Sequence, residues 1–322
     1  MKLNKQLLFF LSFLGILISS SLSAIIIAQT NDEIDATIQL YPTLVDTPEE
    51  LSKFITRDFN TDEAKVRAIY TWLIQNVSYN PEEYKRFNYS FKNYRERNTK
   101  EEKTRRKIIN HTLQTGSAVC EGYAMVFEKL CQLQNIDNYL VRGDTKTNFN
   151  DIGRTFANNH MWNVAFIKGE PFLFDATWGA GRYTTKFIKE PSYYYYKISP
   201  QHLINTHYPQ QYEDAFLNED LSTTLFFDRP LIIKHGLTFG DIISKEKSGV
   251  INQQLYNGEV VFKVATPVDE VSYSFGNETF VLDSSSVESF DNETTFTIPL
   301  TLGIDKLLVY FDGKPALGYL VN

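Results

Sequence analysis

The spacing of apolar residues changes once along this chain, and the change limits what the chain can fold into. Over residues 47–135 apolar side chains recur every three or four positions, so that Val66, Ile69 and Leu73 share one face of a predicted helix. From Asn138 onward they alternate with polar residues in short runs, which is typical of strands. A helical part followed by a strand-rich part predicts an α+β protein.

Local signals mark where the predicted helices begin and end. Thr47, Pro48 and Glu50 are residue types that suit a helix N-cap, a first turn and a capping box. A second helix follows from about residue 62. A further helix begins at Cys120, and Asn135 provides its exit.

The strand-like runs favour two domains in a chain of 322 residues. In the first domain, "NYLVRGD", "HMWNVAFI" and "PFLFDATW" are predicted strands. From about residue 222 nearly every segment is strand-like, and Asp312-Gly313 predicts a hairpin turn. Short strands at regular spacing over about a hundred residues favour an Ig-like β-sandwich. We therefore place the domains at residues 29–220 and 221–322.

The N-terminus has the layout of a secretory signal peptide over residues 1–28. Two lysines precede a long apolar run, and small residues precede a polar segment. The favoured cleavage point follows Ala28, with Ala24 or Ser23 as alternatives. The apolar run is also long enough to cross a bilayer, so an uncleaved membrane anchor is the alternative. Either way, the sequence predicts a protein that is secreted, periplasmic or held at the cell surface.

The charge of the chain argues against a nucleic-acid partner. The formal net charge is −7, so there is no excess of lysine and arginine to neutralise phosphates. One run, residues 92–107, is basic on balance. We interpret it as a solvated, mobile insertion in preference to a binding patch.

The two cysteines, Cys120 and Cys131, cannot pair if both lie on the third helix. Eleven residues of helix separate them by about 16 Å, whereas a disulfide joins Cα atoms at most about 7 Å apart. Cys131 shares an apolar face with Phe127 and Leu130, which predicts that it is buried. Cys120 instead opens the helix, where the positive end of the dipole stabilises a thiolate. Small neighbours such as Gly122 would let a substrate approach, and the backbone N–H of Cys120 could help hold an oxyanion.

A base and an orienting acid for this thiol are predicted from the register of one hairpin. With a two-residue turn at 168–169, Ile167 pairs with Glu170. A regular hairpin in this register makes His160 and Asp175 diagonal neighbours on one face, about 7–8 Å apart between Cα atoms. A slip of one residue would place them on opposite faces.

Three segments together resemble a known family. "CEGYAMVFEKLC", "HMWNVAFIKGEPFLFDATWGAG" and "YYYYKISPQHLINTHYP" resemble the transglutaminase-like superfamily of papain-fold cysteine enzymes, in the branch that includes kyphoscoliosis peptidase. The resemblance covers roughly residues 45–215. The segment from "FFDRPLIIKHGL" onward is similar to the β-domain that follows in that branch. The resemblance implies a papain-like core domain, with the nucleophile at Cys120, the base at His160 and the orienting carboxylate at Asp175.

Three further residues have weaker assignments as oxyanion or substrate contacts. Gln114 lies six residues before Cys120, a spacing at which papain-like proteases place an oxyanion-hole glutamine; a polar loop residue is the alternative. This chain departs from the family here, because "TLQTGSAVC" is longer than the usual approach to the cysteine. Trp162 and Trp178 flank the base and the acid, and we interpret both first as packing residues that exclude water and second as substrate contacts.

The resemblance implies acyl transfer from a protein or peptide amide through a Cys-His-Asp triad. Water as the acceptor makes the protein a peptidase or amidase, and a lysine amine makes it a transglutaminase. The alternative is a catalytically silent scaffold that binds other proteins at the cell surface. Acidic calcium loops are not visible, so the sequence predicts no metal and no other cofactor.

Overall fold

The computed structural model describes five stretches of the chain: residues 29–85, 94–256, 258–276, 278–301 and 303–322. Residues 1–28 lie outside them, so the signal peptide and the membrane anchor stay predictions. Within the described stretches, no helix has both the length and the apolar character needed to span a bilayer.

Helices form most of the structure up to residue 133. In chain order the α-helices are α1 (Asn31–Ile38), α2 (Pro48–Asp58), α3 (Asp62–Asn76), α4 (Tyr94–Thr115), α5 (Cys120–Leu133), α6 (Ala176–Gly179), α7 (Pro200–Leu203) and α8 (Thr223–Asp228). Short 3-10 helices lie at Pro81–Lys85, Phe149–Asp151, Tyr212–Ala215, Phe239–Asp241, Gln253–Leu255 and Ser284–Ser286. The predicted helix starts are confirmed: Thr47 caps α2, and α5 begins at Cys120. Asn135 leaves α5 with a positive φ of 57°.

The capping box predicted at Thr47 is only half formed. The Thr47 hydroxyl accepts a hydrogen bond from the Glu50 N–H at 3.3 Å. The Glu50 carboxylate instead accepts from the N–H of Asp46 at 3.0 Å.

The charged run at residues 92–107 is not the mobile insertion that we predicted, since α4 includes residues 94–107. The end of this helix carries Ile108, Ile109 and Leu113 at helical spacing, and all three are buried in the main core. Arg105 forms an ion pair with Glu128 of α5. The apolar end of α4 packs against the core, and this packing keeps the whole segment helical. The charged composition of the run gave no indication of that packing.

The part of the chain before the C-terminal strands contains a five-stranded antiparallel sheet. Its strands are β3 (Asn138–Thr145), β4 (His160–Ile167), β5 (Glu170–Phe174), β8 (Tyr196–Ile198) and β9 (His207–Pro209), in the order β8-β5-β4-β3-β9. Two small pairs flank it: β1 (Ser78–Tyr79) with β2 (Ser117–Ala118), and β6 (Gly181–Tyr183) with β7 (Phe187–Lys189). The helices α1 to α5 and one face of this sheet share a single apolar core.

The predicted hairpin register between β4 and β5 is confirmed as far as β5 extends. Ile167 pairs with Glu170, and the pairing continues to Asn163 opposite Phe174. The predicted extension of the strand through "DATW" is wrong, because Asp175 leaves the sheet and caps helix α6. An aspartate with free N–H groups ahead of it forms an N-cap more readily than it continues a strand.

The C-terminal part is strand-rich, as predicted. Its strands are β10 (Leu231–Ile232), β11 (Val250–Ile251), β12 (Glu259–Val264), β13 (Val271–Phe275), β14 (Glu278–Val281), β15 (Val287–Phe290), β16 (Glu293–Pro299), β17 (Lys306–Phe311) and β18 (Lys314–Val321). They form one sheet in the order β10-β18-β17-β13-β14, with β11 also on β18, and a second sheet in the order β12-β16-β15. Apolar side chains of both sheets belong to one core cluster. The predicted turn at Asp312-Gly313 is confirmed, since Phe311 pairs with Lys314.

Candidate active site

Cys120 lies at the first position of α5, and its side chain is nearly fully buried. It packs with Ala124 and Met161, and the Tyr84 hydroxyl lies 3.5 Å from its sulfur. Gly122, predicted to admit a substrate, serves close helix packing instead, since a Cβ there would lie 2.5 Å from the Thr112 hydroxyl. As predicted, both cysteines are free; Cys131 is completely buried, and burial raises the pKa of its thiol.

His160 and Asp175 form a direct hydrogen bond in the interior of the protein. His160 is the first residue of β4, and its Nε2 lies 2.7 Å from Asp175 Oδ2. Both side chains are buried. The predicted proximity of the two residues is therefore present, although Asp175 reaches His160 from a helix cap and not from a paired strand position.

The Asp175 carboxylate is held through both of its oxygens. Oδ1 accepts hydrogen bonds from the N–H groups of Thr177 and Trp178, at 2.8 and 3.0 Å. Oδ2 faces two histidines, His160 and His207. Because four donors surround it, the carboxylate has a fixed orientation, and its negative charge is balanced without contact to solvent.

His207 is a member of this cluster that our sequence analysis missed. Its Nε2 lies 3.0 Å from Asp175 Oδ2, and its Nδ1 lies 2.8 Å from the Thr206 hydroxyl. If Nε2–H donates to the carboxylate, Nδ1 is left to accept from Thr206, which fits a neutral imidazole. His207 lies in the third segment that resembles the family. Because that segment is far from the hairpin in the sequence, the contact between His207 and Asp175 could not be predicted.

The two histidines have opposite electrostatic environments although they share one carboxylate. Burial opposes the charged form of His160, but Asp175 and contacts with Cys120 outweigh it and raise the pKa of His160 to about 10. For His207 burial dominates and lowers the pKa to about 4, despite the attraction of Asp175. Burial also opposes the charge on Asp175, but the two histidines hold its pKa well below the usual range. At neutral pH the cluster thus carries one positive and one negative charge.

The remaining predicted residues occupy different places. Trp162 is buried and stacks on His160 with ring centroids 6.0 Å apart, so it packs behind the base. Trp178 is half-buried, lies 4.4 Å from the His207 ring and lines a cavity. Gln114 is exposed, and its amide donates to the Asp46 carbonyl at 3.2 Å. The two tryptophans therefore lie beside the His160–Asp175 pair, whereas the Gln114 amide bonds to the backbone at Asp46.

A cavity of about 720 Å³ opens beside His160. Its volume lies within the usual range of ligand sites. Trp178, Tyr84 and Thr177 also line it, so that residues in contact with Cys120 and Asp175 form part of its wall. A substrate in this cavity would lie next to the imidazole.

The same cluster is the one group among the described residues that could hold a metal ion. The ligand atoms of His160, Asp175 and His207 all lie within 4.8 Å of one another. Separations of 2.7 and 3.0 Å between nitrogen and oxygen are hydrogen-bond distances, so N–H donation accounts for the arrangement. The absence of a metal cofactor stays a prediction.

Comparisons with known proteins agree with the resemblance in the sequence. The model of the transglutaminase-like superfamily matches residues 49–176. Kyphoscoliosis peptidase of Homo sapiens is 28% identical over 167 residues, which are 50% of this chain and 23% of that protein. The Mus musculus protein is 27% identical over 166 residues, again 50% of this chain and 23% of that protein. The chain thus matches about a quarter of the length of these curated relatives.

A solved structure of a TGase shares 13% identity, covers 59% of this chain and 42% of that chain, and has a TM-score of 0.29, which is too low to carry an argument. The family model and the two curated relatives agree on one assignment. This chain contains a transglutaminase-like domain at residues 49–176, and the predicted resemblance to the kyphoscoliosis peptidase-like branch of the transglutaminase-like superfamily is confirmed.

Proposed function

We propose that this protein is an exported, cysteine-dependent acyl-transfer enzyme that acts on protein or peptide amides. Cys120 is the nucleophile, His160 the general base and Asp175 the carboxylate that orients the base. The observation that carries the proposal is the buried 2.7 Å hydrogen bond between His160 and Asp175, and Cys120 further raises the pKa of the same imidazole.

The chemistry follows from the positions of these groups. In the resting site the Cys120 proton already resides on His160, since the raised pKa of the imidazole favours a thiolate–imidazolium pair, and the thiolate sulfur bonds to the carbonyl carbon of the amide. When the carbon–nitrogen bond breaks, the leaving amine takes the proton from His160, and a thioester remains on Cys120. The acceptor then gives its proton to His160 and attacks the thioester, the carbon–sulfur bond breaks, and the thiolate–imidazolium pair is restored.

Water is the acceptor that we favour. The two curated relatives are named peptidases, which supports hydrolysis of the thioester. An amine acceptor would make the protein a transglutaminase, the activity for which the superfamily is named. The two acceptors give different products and can be assayed separately.

We also propose that the C-terminal strands form the predicted Ig-like β-sandwich over residues 221–322, after a transglutaminase-like domain at 29–220. Two sheets that share one apolar core support this division. Export rests on the sequence of residues 1–28 alone.

The first experiment measures the reactivity of the thiol. Folded protein is treated with iodoacetamide near pH 7, and alkylation is followed by intact mass. Cys120 should react faster than a model thiol, and His160→Ala should remove the acceleration, since the imidazole would no longer assist ionisation. Cys131→Ala is the matched control and should keep the rate, because Cys131 is fully buried.

The second experiment assays turnover. Release of peptides from fluorescent casein reports water as the acceptor, and incorporation of dansylcadaverine into casein reports an amine. Cys120→Ala should abolish whichever activity is found. A Cys120 that reacts like a model thiol, at a rate unaffected by His160→Ala, would contradict the proposal and favour the non-catalytic scaffold.

A further inference from the structure

We infer that the C-terminal strand-rich part supplies one wall of the substrate cavity through His235, and that the cavity selects an uncharged peptide segment with an aromatic side chain. This inference rests on the proposed function, because it names the substrate class of the same site. Neither the family match, which ends at residue 176, nor the similarity to the curated relatives assigns a role to His235.

The first observation is the aromatic character of the cavity. Rings from several separate elements form much of its wall, contributed by Tyr79, Tyr84, Trp178, Tyr183, Phe187 and Tyr195. Aromatic walls favour aromatic or apolar ligand groups, which they contact through ring faces and edges.

The second observation is the lack of an unbalanced charge among the described residues at the cavity rim. Arg182 and Glu190 both line the cavity, but Arg182 Nε lies 2.9 Å from Glu190 Oε2, so the two charges satisfy each other. The positive charge of His160 faces the buried Asp175 carboxylate. A lysine or aspartate side chain of a substrate would lose water here without gaining a free partner among the described residues.

The third observation places His235 in this wall. Its ring is parallel to that of Tyr194, with centroids 3.7 Å apart and an interplanar angle of 2°, and it meets the Tyr195 ring edge-on at 6.0 Å. His235 lines the cavity and stays exposed. Burial of part of the ring lowers its pKa, which favours the neutral imidazole and a planar stacking surface.

The fourth observation is that the backbone on both sides of His235 is held in place. On one side, the N–H of Ile233 donates to the Ala316 carbonyl of β18 at 2.8 Å. On the other side, the buried amide of Asn205 donates to the Leu237 carbonyl at 2.7 Å. One anchor belongs to the C-terminal sheet and the other to the first domain, so the position of His235 depends on the contact between them.

A peptide fits these observations better than a glycan. Both can stack on aromatic rings, but the nucleophile requires a carbonyl carbon, and a peptide carries the amide and the aromatic ring in one chain. We therefore expect an aromatic side chain in the peptide close to the amide that is attacked.

The test uses the full chain and a matched series of thiol-reactive probes. These are N-acetyl dipeptidyl chloromethyl ketones with phenylalanine, alanine, aspartate or lysine at the first or second position before the reactive carbonyl. Each probe forms a carbon–sulfur bond at Cys120 and releases chloride. The measured quantity is the ratio of the probe's alkylation rate to that of iodoacetamide, which has no side chain to fill the cavity.

The phenylalanine probe should have a ratio about tenfold above that of the alanine probe, and the aspartate and lysine probes should not exceed alanine. His235→Ala should lower the phenylalanine ratio about three- to tenfold, the range expected for loss of one aromatic contact. His235→Phe should restore most of it. Phe290→Ala, on an exposed strand of the same part, is the control and should leave the ratio unchanged.

Two results would overturn the inference while the proposed function stands. In the first, iodoacetamide alkylates Cys120 fast and in a His160-dependent way, but the phenylalanine and alanine probes have equal ratios. The same conclusion holds if His235→Ala leaves the ratio of the phenylalanine probe unchanged. The other is protection of Cys120 from iodoacetamide by N-acetylchitotriose but not by N-acetylphenylalanine amide, which would indicate a glycan ligand. If alkylation by iodoacetamide is slow and independent of His160, the proposed function fails, and the inference fails with it.

Discussion

The first domain and the C-terminal strand-rich part bury different kinds of side chain. The first domain encloses ionisable groups, among them Asp144, Lys146, His160, Asp175 and His207. The C-terminal part buries one charged side chain among its described residues, Glu246, and its two sheets pack through valine, leucine and aromatic side chains. Burying a charged side chain costs free energy unless the charge is paired, whereas burying apolar side chains stabilises the fold. Buried ionisable groups with fixed partners are typical of functional sites.

The largest expected effect is that of removing the charge on Asp175. Asp175→Asn keeps an oxygen for the Thr177 and Trp178 N–H groups but removes the anion that raises the pKa of His160. Activity should fall about 10⁴-fold, the loss seen when a triad carboxylate becomes an amide. Asp312→Asn in the C-terminal part, where the carboxylate accepts from two backbone N–H groups, is the control and should keep full activity.

The same variant should change the pH dependence of stability. The raised pKa of His160 gives stability that is fully present below its ordinary value of 6.5 and is lost as pH rises toward about 10. In Asp175→Asn this alkaline loss should shrink, which urea unfolding at pH 6, 8 and 10 would show. An unchanged alkaline slope would mean that another group causes it.

The next effect tests the apolar region. Phe262 is fully buried and stacks on Phe296 at 5.3 Å, so Phe262→Ala should lower the free energy of unfolding by about 3–5 kcal/mol. Phe290→Ala, at an 80% exposed position, should change it by less than about 0.5 kcal/mol. Urea denaturation measures both. If the two variants are equally stable, the C-terminal core is not packed as described.

A smaller effect concerns the second histidine. His207→Phe removes the donor to Asp175 at similar volume and should lower activity about 10- to 100-fold, the range for one hydrogen bond to a charged group. His207→Gln retains an N–H donor and should recover much of the loss. Because Asp175 would then interact more strongly with His160, the alkaline limb of the pH–rate profile should move upward in His207→Phe. Equal defects in both variants, without this shift, would indicate packing alone.

The smallest effect lies at the junction of the two regions. Lys146 Nζ donates to the carbonyls of Phe226 and Arg229 at 2.7 and 2.9 Å, and burial lowers its pKa to about 7. Lys146→Met should cost about 1–3 kcal/mol of stability through the two unpaired carbonyls. Between pH 7 and 10.5 the unfolded chain holds the proton that the folded chain lacks, so the deficit of the variant should grow with pH. Lys314→Met, at an exposed site, should show no such trend.

Much of the architecture follows from local patterns that do not depend on distant contacts. Helix starts at Thr47 and Cys120, the turn at Asp312-Gly313 and the separation into helical and strand-rich parts were all predictable from capping chemistry and periodicity. The helix through the charged run was missed because its stability comes from packing of its far end, at Ile109 and Leu113, against the core.

The candidate site was predicted only in part. The proximity of His160 and Asp175 follows from a short hairpin with a defined turn, but the geometry does not, because Asp175 turns out of the strand to cap a helix. His207 and His235 lie outside that hairpin, and nothing in their spacing predicts that either reaches the cavity region.

The sequence by itself determined most of the helices and strands, the hairpin turns and the resemblance to the transglutaminase-like superfamily, because these depend on residue types a few positions apart. Only the tertiary structure decided that one carboxylate serves two histidines with opposite pKa shifts, and that a ring from the C-terminal part lies beside the cavity. Burial and contacts between residues far apart in the chain set those properties, and neither is encoded in local spacing.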